Sequence, residues 1–236
     1  MRVLVTRPRP AAERTALKLE AMGHQPTVLP LIQAQHFVAA LRTGFERPHD
    51  AIAVTSAEAI RVLAELGPAL QAHLSTPLFA VGAATAAVAT DLGFTDVRVG
   101  VGTGEALAET VAGFLGPGTG SLLYFAGLPR ADGFEHSLRQ RAIDHVTVEC
   151  YRMIPVDHPL ETLPALTRSG PFDAVLLYSR ETARRLAALM RDSGVDCADF
   201  STRYLCLSAT VKEALPSGAA AEVAPAPDEE SLLKIL

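Results

Sequence analysis

Short apolar runs of four to six residues alternate with helix-period segments along the whole chain, and the series then begins again at offsets of roughly 120 to 126 residues. Strands buried on both faces of a parallel sheet read as continuous apolar runs and need crossover helices between them. The alternation therefore points to α/β architecture. A period this long excludes a solenoid and leaves two similar α/β units. The 236 residues allow one large domain or two small ones.

In the first pass, Val3-Leu4-Val5-Thr6 predicts a strand and residues 11–22 a helix, with Gly23 placed for a left-handed cap; residues 24–32 look extended. Asp50-Ala-Ile-Ala-Val-Thr-Ser56 predicts a buried strand. It feeds a helix whose Ala59, Ile60, Leu63 and Leu66 share a face and which stops at Gly67-Pro68, and Thr55-x-x-Glu58 is spaced as a capping box. Residues 78–82 read as a strand, 83–92 as a helix of small residues ended by Gly93. Residues 97–101 then lead through Gly102-Thr103-Gly104 into a helix over 105–114.

The turn-rich Gly116-Pro117-Gly118-Thr119-Gly120 marks the restart. Ser121 to Phe125 and residues 133–141 repeat the opening strand and helix, and Thr147 to Tyr151 parallels Thr27 to Leu31. Asp173-Ala-Val-Leu-Leu-Tyr-Ser179 parallels Asp50 to Ser56, so Ser179 matches Ser56 and Glu181 matches Glu58. Residues 204–208 parallel 79–82, and 228–236 parallel the helix after Gly104. Two such units imply a cleft, and ligands of open sheets bind beyond the carboxyl ends of strands, where helix N-termini gather. The loops so placed are 6–10, 55–56, 82–85, 102–104, 126–132, 179–180 and 208–210.

Charge and composition narrow the partners. A formal charge of −5 argues against a nucleic-acid binder, whose affinity comes from neutralising phosphates. Of 21 cations all but Lys18, Lys212 and Lys234 are arginine, the side chain suited to bidentate carboxylate capture, although a GC-rich genome gives the same bias. Cys150, Cys197 and Cys206 are odd in number and lack C-x-x-C spacing, so they signal neither a disulfide framework nor a zinc site and fit a reducing cytosol. The N-terminus shows no signal-peptide core, and the uncharged stretch 69–90 is broken by Pro77, Gly82, His73 and several Ser/Thr, unlike a membrane span. Gly100-x-Gly102-x-Gly104 lacks the dinucleotide spacing. The seven histidines sit singly, none in a Ser/His/Asp motif, and His24, His73 and His145 read as surface or element-end residues.

Taken in order, the loops resemble the uroporphyrinogen-III synthase family over nearly the whole chain. The resemblance rests on Leu4-Val5-Thr6-Arg7-Pro8, Leu29-Pro30-Leu31-Ile32, Thr55-Ser56-x-x-Ala59 and Val81-Gly82-x-x-Thr85-Ala86. It continues through Glu105-Ala-Leu-Ala, Val148-x-x-Tyr151-Arg152, Ser179 opening a helix, and Ser208-Ala209-Thr210. It implies a fold of two similar three-layer α/β domains with parallel sheets, joined by a two-stranded β linker. One domain would comprise 1–35 plus 153–236 and the inserted one 36–150, with linker strands near 33–37 and 149–155. Ser208 stands where relatives usually carry glycine, and Ala126-Gly127-Leu128-Pro129-Arg130 is a loose version of the family's glycine- and arginine-bearing loop.

The activity implied is cyclisation of hydroxymethylbilane to uroporphyrinogen III, with loss of water and inversion of ring D through a spiro intermediate, and without metal or organic cofactor. The repeat and cleft alone equally allow a two-lobed small-molecule binding or sensor module without catalysis. Tyr151 resembles the family's functional tyrosine: a phenol of pKa about 10 is neutral at pH 7 and can donate a proton to a leaving hydroxyl. Its plain alternative is a half-buried strand tyrosine with its hydroxyl in water. The substrate, a linear tetrapyrrole polycarboxylate, would be held by Thr6, Arg7, Thr55, Ser56, Gly82, Thr85, Gly102, Thr103, Gly127, Arg130, Ser179, Arg180, Ser208 and Thr210, with Arg152 nearby. The same Ser and Thr serve equally as helix caps, and the same arginines as solvated surface charges. A cytosolic monomer without nucleic-acid or membrane partner is expected.

Overall fold

The computed structural model describes residues 1–195 and 201–236; Cys197 lies outside the described residues. From the N-terminus come β1 (Arg2–Val5), α1 (Arg9–Ala21), β2 (Gln25–Val28), β3 (Ile32–His36) and α2 (Val38–Phe45). Next are β4 (Ala51–Val54), α3 (Ala57–Ala64), a 3-10 turn at Gly67–His73, β5 (Leu78–Ala80), α4 (Ala83–Leu92), β6 (Val97–Val99) and α5 (Gly104–Leu115). β7 (Ser121–Leu128), α6 (Gly133–Gln140), β8 (Asp144–Pro155), α7 (Thr162–Thr167), β9 (Ala174–Leu177) and α8 (Arg180–Asp192) follow. The last are β10 (Arg203–Cys206), α9 (Ala209–Lys212), β11 (Ala220–Val223) and α10 (Glu229–Leu233).

The chain divides into two compact units. Unit 1 is Met1–Gln33 with Ile154–Leu236, and unit 2 is Ala34–Met153. Both divisions fall inside β3 and β8, which neighbour each other in one sheet. The sheet of unit 1 has the order β11-β10-β9-β1-β2, and all its ladders are parallel. The other sheet has the order β3-β8-β7-β4-β5-β6, parallel from β8 to β6.

Apart from β3, the two sheets are copies down to their register. Val3 of β1 pairs with Ala174 of β9, as Leu122 of β7 pairs with Ala51 of β4. Asp173 and Asp50 occupy the same corner in each: the Asp173 carboxylate accepts from the Arg2 amide at 2.6 Å and that of Asp50 from the Ser121 amide at 2.8 Å. Each aspartate then returns its own amide to the carbonyl of that partner, at 2.9 and 2.8 Å.

The sequence repeat and the compact units do not coincide. The first copy supplies β1 and β2 to unit 1 but β4, β5 and β6 to unit 2; the second supplies β7 and β8 to unit 2 but β9, β10 and β11 to unit 1. Register also corrects one alignment. Val175 pairs with Tyr204 as Ile52 pairs with Leu78, so Tyr204 corresponds to Leu78 rather than to Phe79.

Helices cover both faces of each sheet. In unit 2, Ile52, Val54, Ile60 and Leu63 pack on one face, and Phe79, Leu107, Val111 and Tyr124 on the other. In unit 1, Leu4, Val175, Leu177 and Leu186 face one way, and Val3, Val5, Leu176 and Leu19 the other. β4 and β9 are buried at every position, which explains their unbroken apolar sequence.

Local expectations are amended in three places. The first helix starts at Arg9, because Pro10 is tolerated in a first turn. The stretch 24–32 is not one strand: Pro30 lacks the N–H a ladder needs, and the strand breaks between Val28 and Ile32. Ser56 rather than Thr55 caps α3, accepting from the Glu58 amide at 3.1 Å with an extended backbone at φ −154°.

Candidate active site

β7 and β8 carry the centre of the site through one irregularity. Their register slips between Ala126 and Gly127, so that Ala126 faces Glu149 and Gly127 faces Tyr151, with Cys150 the extra residue. Such a bulge re-aims side chains. It puts Cys150 and Tyr151 inside in succession, against the alternation of an ordinary strand, and the Cys150 thiol donates to the Ala126 carbonyl at 3.4 Å. The Tyr151 ring then lies across Gly127, where any Cβ would overlap it. Gly127 is what makes the room.

Around this ring is a pocket of about 280 Å³ lined by Thr55, Ser56, Val81, Gly104, Glu105, Tyr124, Gly127, Pro129, Arg130, Ala131, Gly133, Phe134 and Tyr151. The Tyr124 hydroxyl and the Thr55 hydroxyl are 2.8 Å apart, and the Tyr124 ring meets Phe134 edge-on with centroids 4.8 Å apart. α5 and α6 enter closely because Gly104 sits against the Phe134 backbone, where a Cβ would be 2.9 Å from its nitrogen. Arg130 binds Glu135 through Nε at 2.9 Å and Nη2 at 3.3 Å, leaving Nη1 without a protein partner among the described residues. Glu135 also accepts from Thr147 at 2.8 Å, and Arg130 with Thr147 holds its carboxyl below the usual range despite burial.

Burial pushes the Tyr151 phenol pKa up, against the Ser56 hydroxyl, which pulls it down; Cys150 and Glu58 add to the rise. Tyr124 is raised in the same way by burial, with Thr55 opposing. Both phenols therefore stay protonated across neutral pH. Burial drives the Cys150 thiol up to about 12, which makes it an inert core residue.

Of the residues expected to bind substrate, this pocket brings together Thr55, Ser56, Gly127 and Arg130 around Tyr151. Tyr151 is 9% exposed, a buried residue rather than a half-buried one. Gly82 and Thr103 cap α4 and α5 nearby in sequence, and Thr85 is buried in the first turn of α4. Gly102 is exposed in the left-handed region at φ 87°. None of these four lines the pocket.

In unit 1 the expected residues fare unequally. Thr6 is fully buried just after β1, and its hydroxyl donates to the Leu176 carbonyl at 2.9 Å. Arg7 is not a free anion hook: its Nη1 lies 2.7 Å from Glu229 Oε1, and its guanidinium lies over the Tyr178 ring at 4.0 Å. Arg152 is likewise paired, with Glu149 at 2.7 Å. Arg180 is exposed and makes no ion pair among the described residues. Ser179 caps α8, accepting from the Thr182 amide at 3.1 Å. Ser208 has φ −154° and ψ 166°, close to the −162° and 169° of Gly82, so serine fits a backbone that does not need glycine. Its hydroxyl is 2.9 Å from that of Thr210.

Sequence reasoning missed Tyr124, Glu105 and Phe134. A signal for Tyr124 was present: a phenol inside the apolar Leu-Leu-Tyr-Phe run must find a hydrogen-bond partner when buried. The histidines are not all single. His36 lies between Glu58, at 2.8 Å, and Glu65, while Glu58 also binds Arg61. His73 stacks on Phe45 at 3.8 Å. Among the described residues no group of three or more His, Cys, Asp or Glu side chains is placed to hold a metal ion, and no helix is long and apolar enough to cross a membrane.

Residues 13–234 match the family model for uroporphyrinogen-III synthase HemD. The fold is similar to a crystal structure of uroporphyrinogen-III synthetase from Helicobacter pylori (TM-score 0.65, 18% identity, covering 100% of this chain and 98% of that one). It is also similar to a mutant uroporphyrinogen III synthase from the extremely thermophilic bacterium Thermus thermophilus (TM-score 0.58, 19% identity, covering 99% and 96%). No curated protein sequence matches the chain.

Proposed function

The chain belongs to the uroporphyrinogen-III synthase family, and from that premise we propose that Tyr151, in the pocket of unit 2, protonates the departing hydroxyl as hydroxymethylbilane closes to uroporphyrinogen III. The chain is a cyclising lyase of haem biosynthesis. Family membership favours this over a binding module without catalysis.

The observation that carries the role of Tyr151 is its placement: a bulge turns the phenol across Gly127 into a pocket that also holds Thr55, Ser56 and Arg130. Ring nitrogen electrons of the pyrrole expel the hydroxyl and leave a conjugated cation, so the carbon–oxygen bond breaks without a strong acid. A neutral phenol gives the oxygen its proton, and water leaves. The substituted carbon of the last ring then attacks to form the spiro intermediate, whose rearrangement inverts that ring. The proton finally released from carbon restores the phenol. Burial keeps the phenol protonated at neutral pH, as a donor requires. Holding the flexible chain in a near-attack shape supplies the larger share, roughly 7 to 11 kcal/mol for well-oriented reactions.

For the carboxylates we propose Arg130 through its open Nη1, Arg180, the Ser208 and Thr210 hydroxyls, and the first-turn amides of α4. Gly82 gives that helix no side-chain cap, whereas Ser56, Thr103 and Ser179 already spend their oxygens on their own helices. We further propose a cytosolic monomer. Cys150 and Cys206 are free, buried thiols, as a reducing compartment keeps them, and the whole lining of the pocket lies within unit 2.

The test is direct. Freshly made hydroxymethylbilane closes spontaneously to isomer I, so an active protein diverts the product to isomer III. Isomer I alone overturns the proposal.

A further inference from the structure

We propose that Tyr124 is a positioning residue for the cyclisation: by donating its phenolic proton to Thr55, it turns the Thr55 hydroxyl into a donor aimed at substrate. The inference rests on the synthase reading and on the pocket of unit 2 as its site.

The two oxygens are 2.8 Å apart and both residues line the pocket. In a pair of hydroxyls only one proton can lie between the oxygens, and the more acidic group is the better donor. A phenol is far more acidic than an aliphatic alcohol, so the proton between them is that of Tyr124. The competing acceptor near the phenol is the Glu135 carboxylate, and it already receives Arg130 and Thr147. Among the described residues Thr55 has no hydrogen-bond partner for its hydroxyl besides the Tyr124 oxygen. It stands just before the Ser56 cap of α3, ahead of the helix, so no carbonyl of a preceding turn is there to take its proton as in a helical threonine. With its oxygen receiving from Tyr124, its O–H is left to donate to a bound carboxylate or to the departing oxygen.

Packing fixes the phenol that does this. Tyr124 is 1% exposed, its ring is held edge-on by Phe134, and its backbone pairs with Ala53 of β4. A hydroxyl anchored from behind spends no rotational freedom when substrate arrives, whereas an isolated threonine hydroxyl samples its rotors freely.

The experiment is a double-mutant cycle on Tyr124→Phe and Thr55→Val, with Thr55→Ser as the variant that keeps the hydroxyl. It reads kcat and KM for hydroxymethylbilane, the fraction of isomer III, and Tm. Tyr124→Phe should lower kcat/KM about tenfold, the worth of one well-made hydrogen bond. Thr55→Val should lower it at least as much, and adding Tyr124→Phe to Thr55→Val should lower it no further. Thr55→Ser should retain sensitivity to Tyr124→Phe. A full additional loss in the Thr55→Val background, or unchanged kcat/KM in Tyr124→Phe, overturns the assignment even if Tm falls. A wild-type protein that yields no isomer III overturns the synthase reading, and this assignment with it.

Discussion

The ring of Tyr151 fills the space where a side chain on Gly127 would stand. The two residues face each other across β7 and β8 at the point where the register slips. Gly127→Ala therefore forces the ring away or opens the ladder. We expect loss of about 1–3 kcal/mol of stability, as for overpacking, together with loss of most isomer III synthesis. Urea unfolding and product analysis check it, and unchanged values for both would mean that the ring has another place to go.

Tyr151→Phe keeps the ring and its contact with Gly127 and removes only the proton donor. Turnover should drop about 100-fold or more, in the range of general acid catalysis, with Tm nearly unchanged. Near-normal turnover would remove Tyr151 from the chemistry.

His36 gives the protein a pH dependence with a definite sign. Burial opposes its charge, yet hydrogen bonds and charges from Glu65 and Glu58 outweigh burial and raise its pKa, while Arg61 pairs with Glu58. A raised folded pKa means that the stabilisation is fully present below the unfolded value of about 6.5 and is lost as pH climbs through the folded value. His36→Gln should flatten the decline in stability between the unfolded value of about 6.5 and the raised folded value. Identical pH profiles for variant and wild type would exclude the contribution.

Asp50 and Asp173 are equivalent in their two sheets, each accepting the first amide of the adjoining strand. Each change to Ala should cost about 1 kcal/mol, the worth of such a bond, and the double variant should lose the sum because no partner is shared. Denaturant titration of the three variants measures this, and strong non-additivity would show the two corners to be coupled.

Arg180 is the expected substrate arginine that no acid neutralises among the described residues. Arg180→Ala should raise KM up to about fivefold at low salt, the scale of an exposed ion pair. The difference should shrink as ionic strength rises and the charge is screened. A KM indifferent to both changes would count against any role for this guanidinium.

Much of the site was legible before any coordinates. Thr55, Ser56, Gly127 and Arg130 stood in loops after predicted strands and Tyr151 on a predicted linker strand, and all five line one pocket. What was not legible is how polar groups had been spent. Arg7 looked available next to Thr6, but its acceptor, Glu229, lies 222 residues away along the chain. Tyr124 looked like core, because only the fold brings Thr55, 69 residues distant, to its hydroxyl.

The sequence alone determined what depends on near neighbours. Strand and helix identity follow from unbroken apolar runs and the 3.6-residue period, the end of α4 follows from Gly93, and the doubling follows from repeated local pattern. Tertiary structure decided which halves combine, so that β1 and β2 join β9 to β11 while β7 and β8 join β4 to β6. Because the two copies share the same ladder register, local pattern cannot choose between pairing within a copy and pairing across copies. That choice belongs to the whole chain, through burial and hydrogen bonds between residues more than 100 positions apart, as for Arg2 with Asp173.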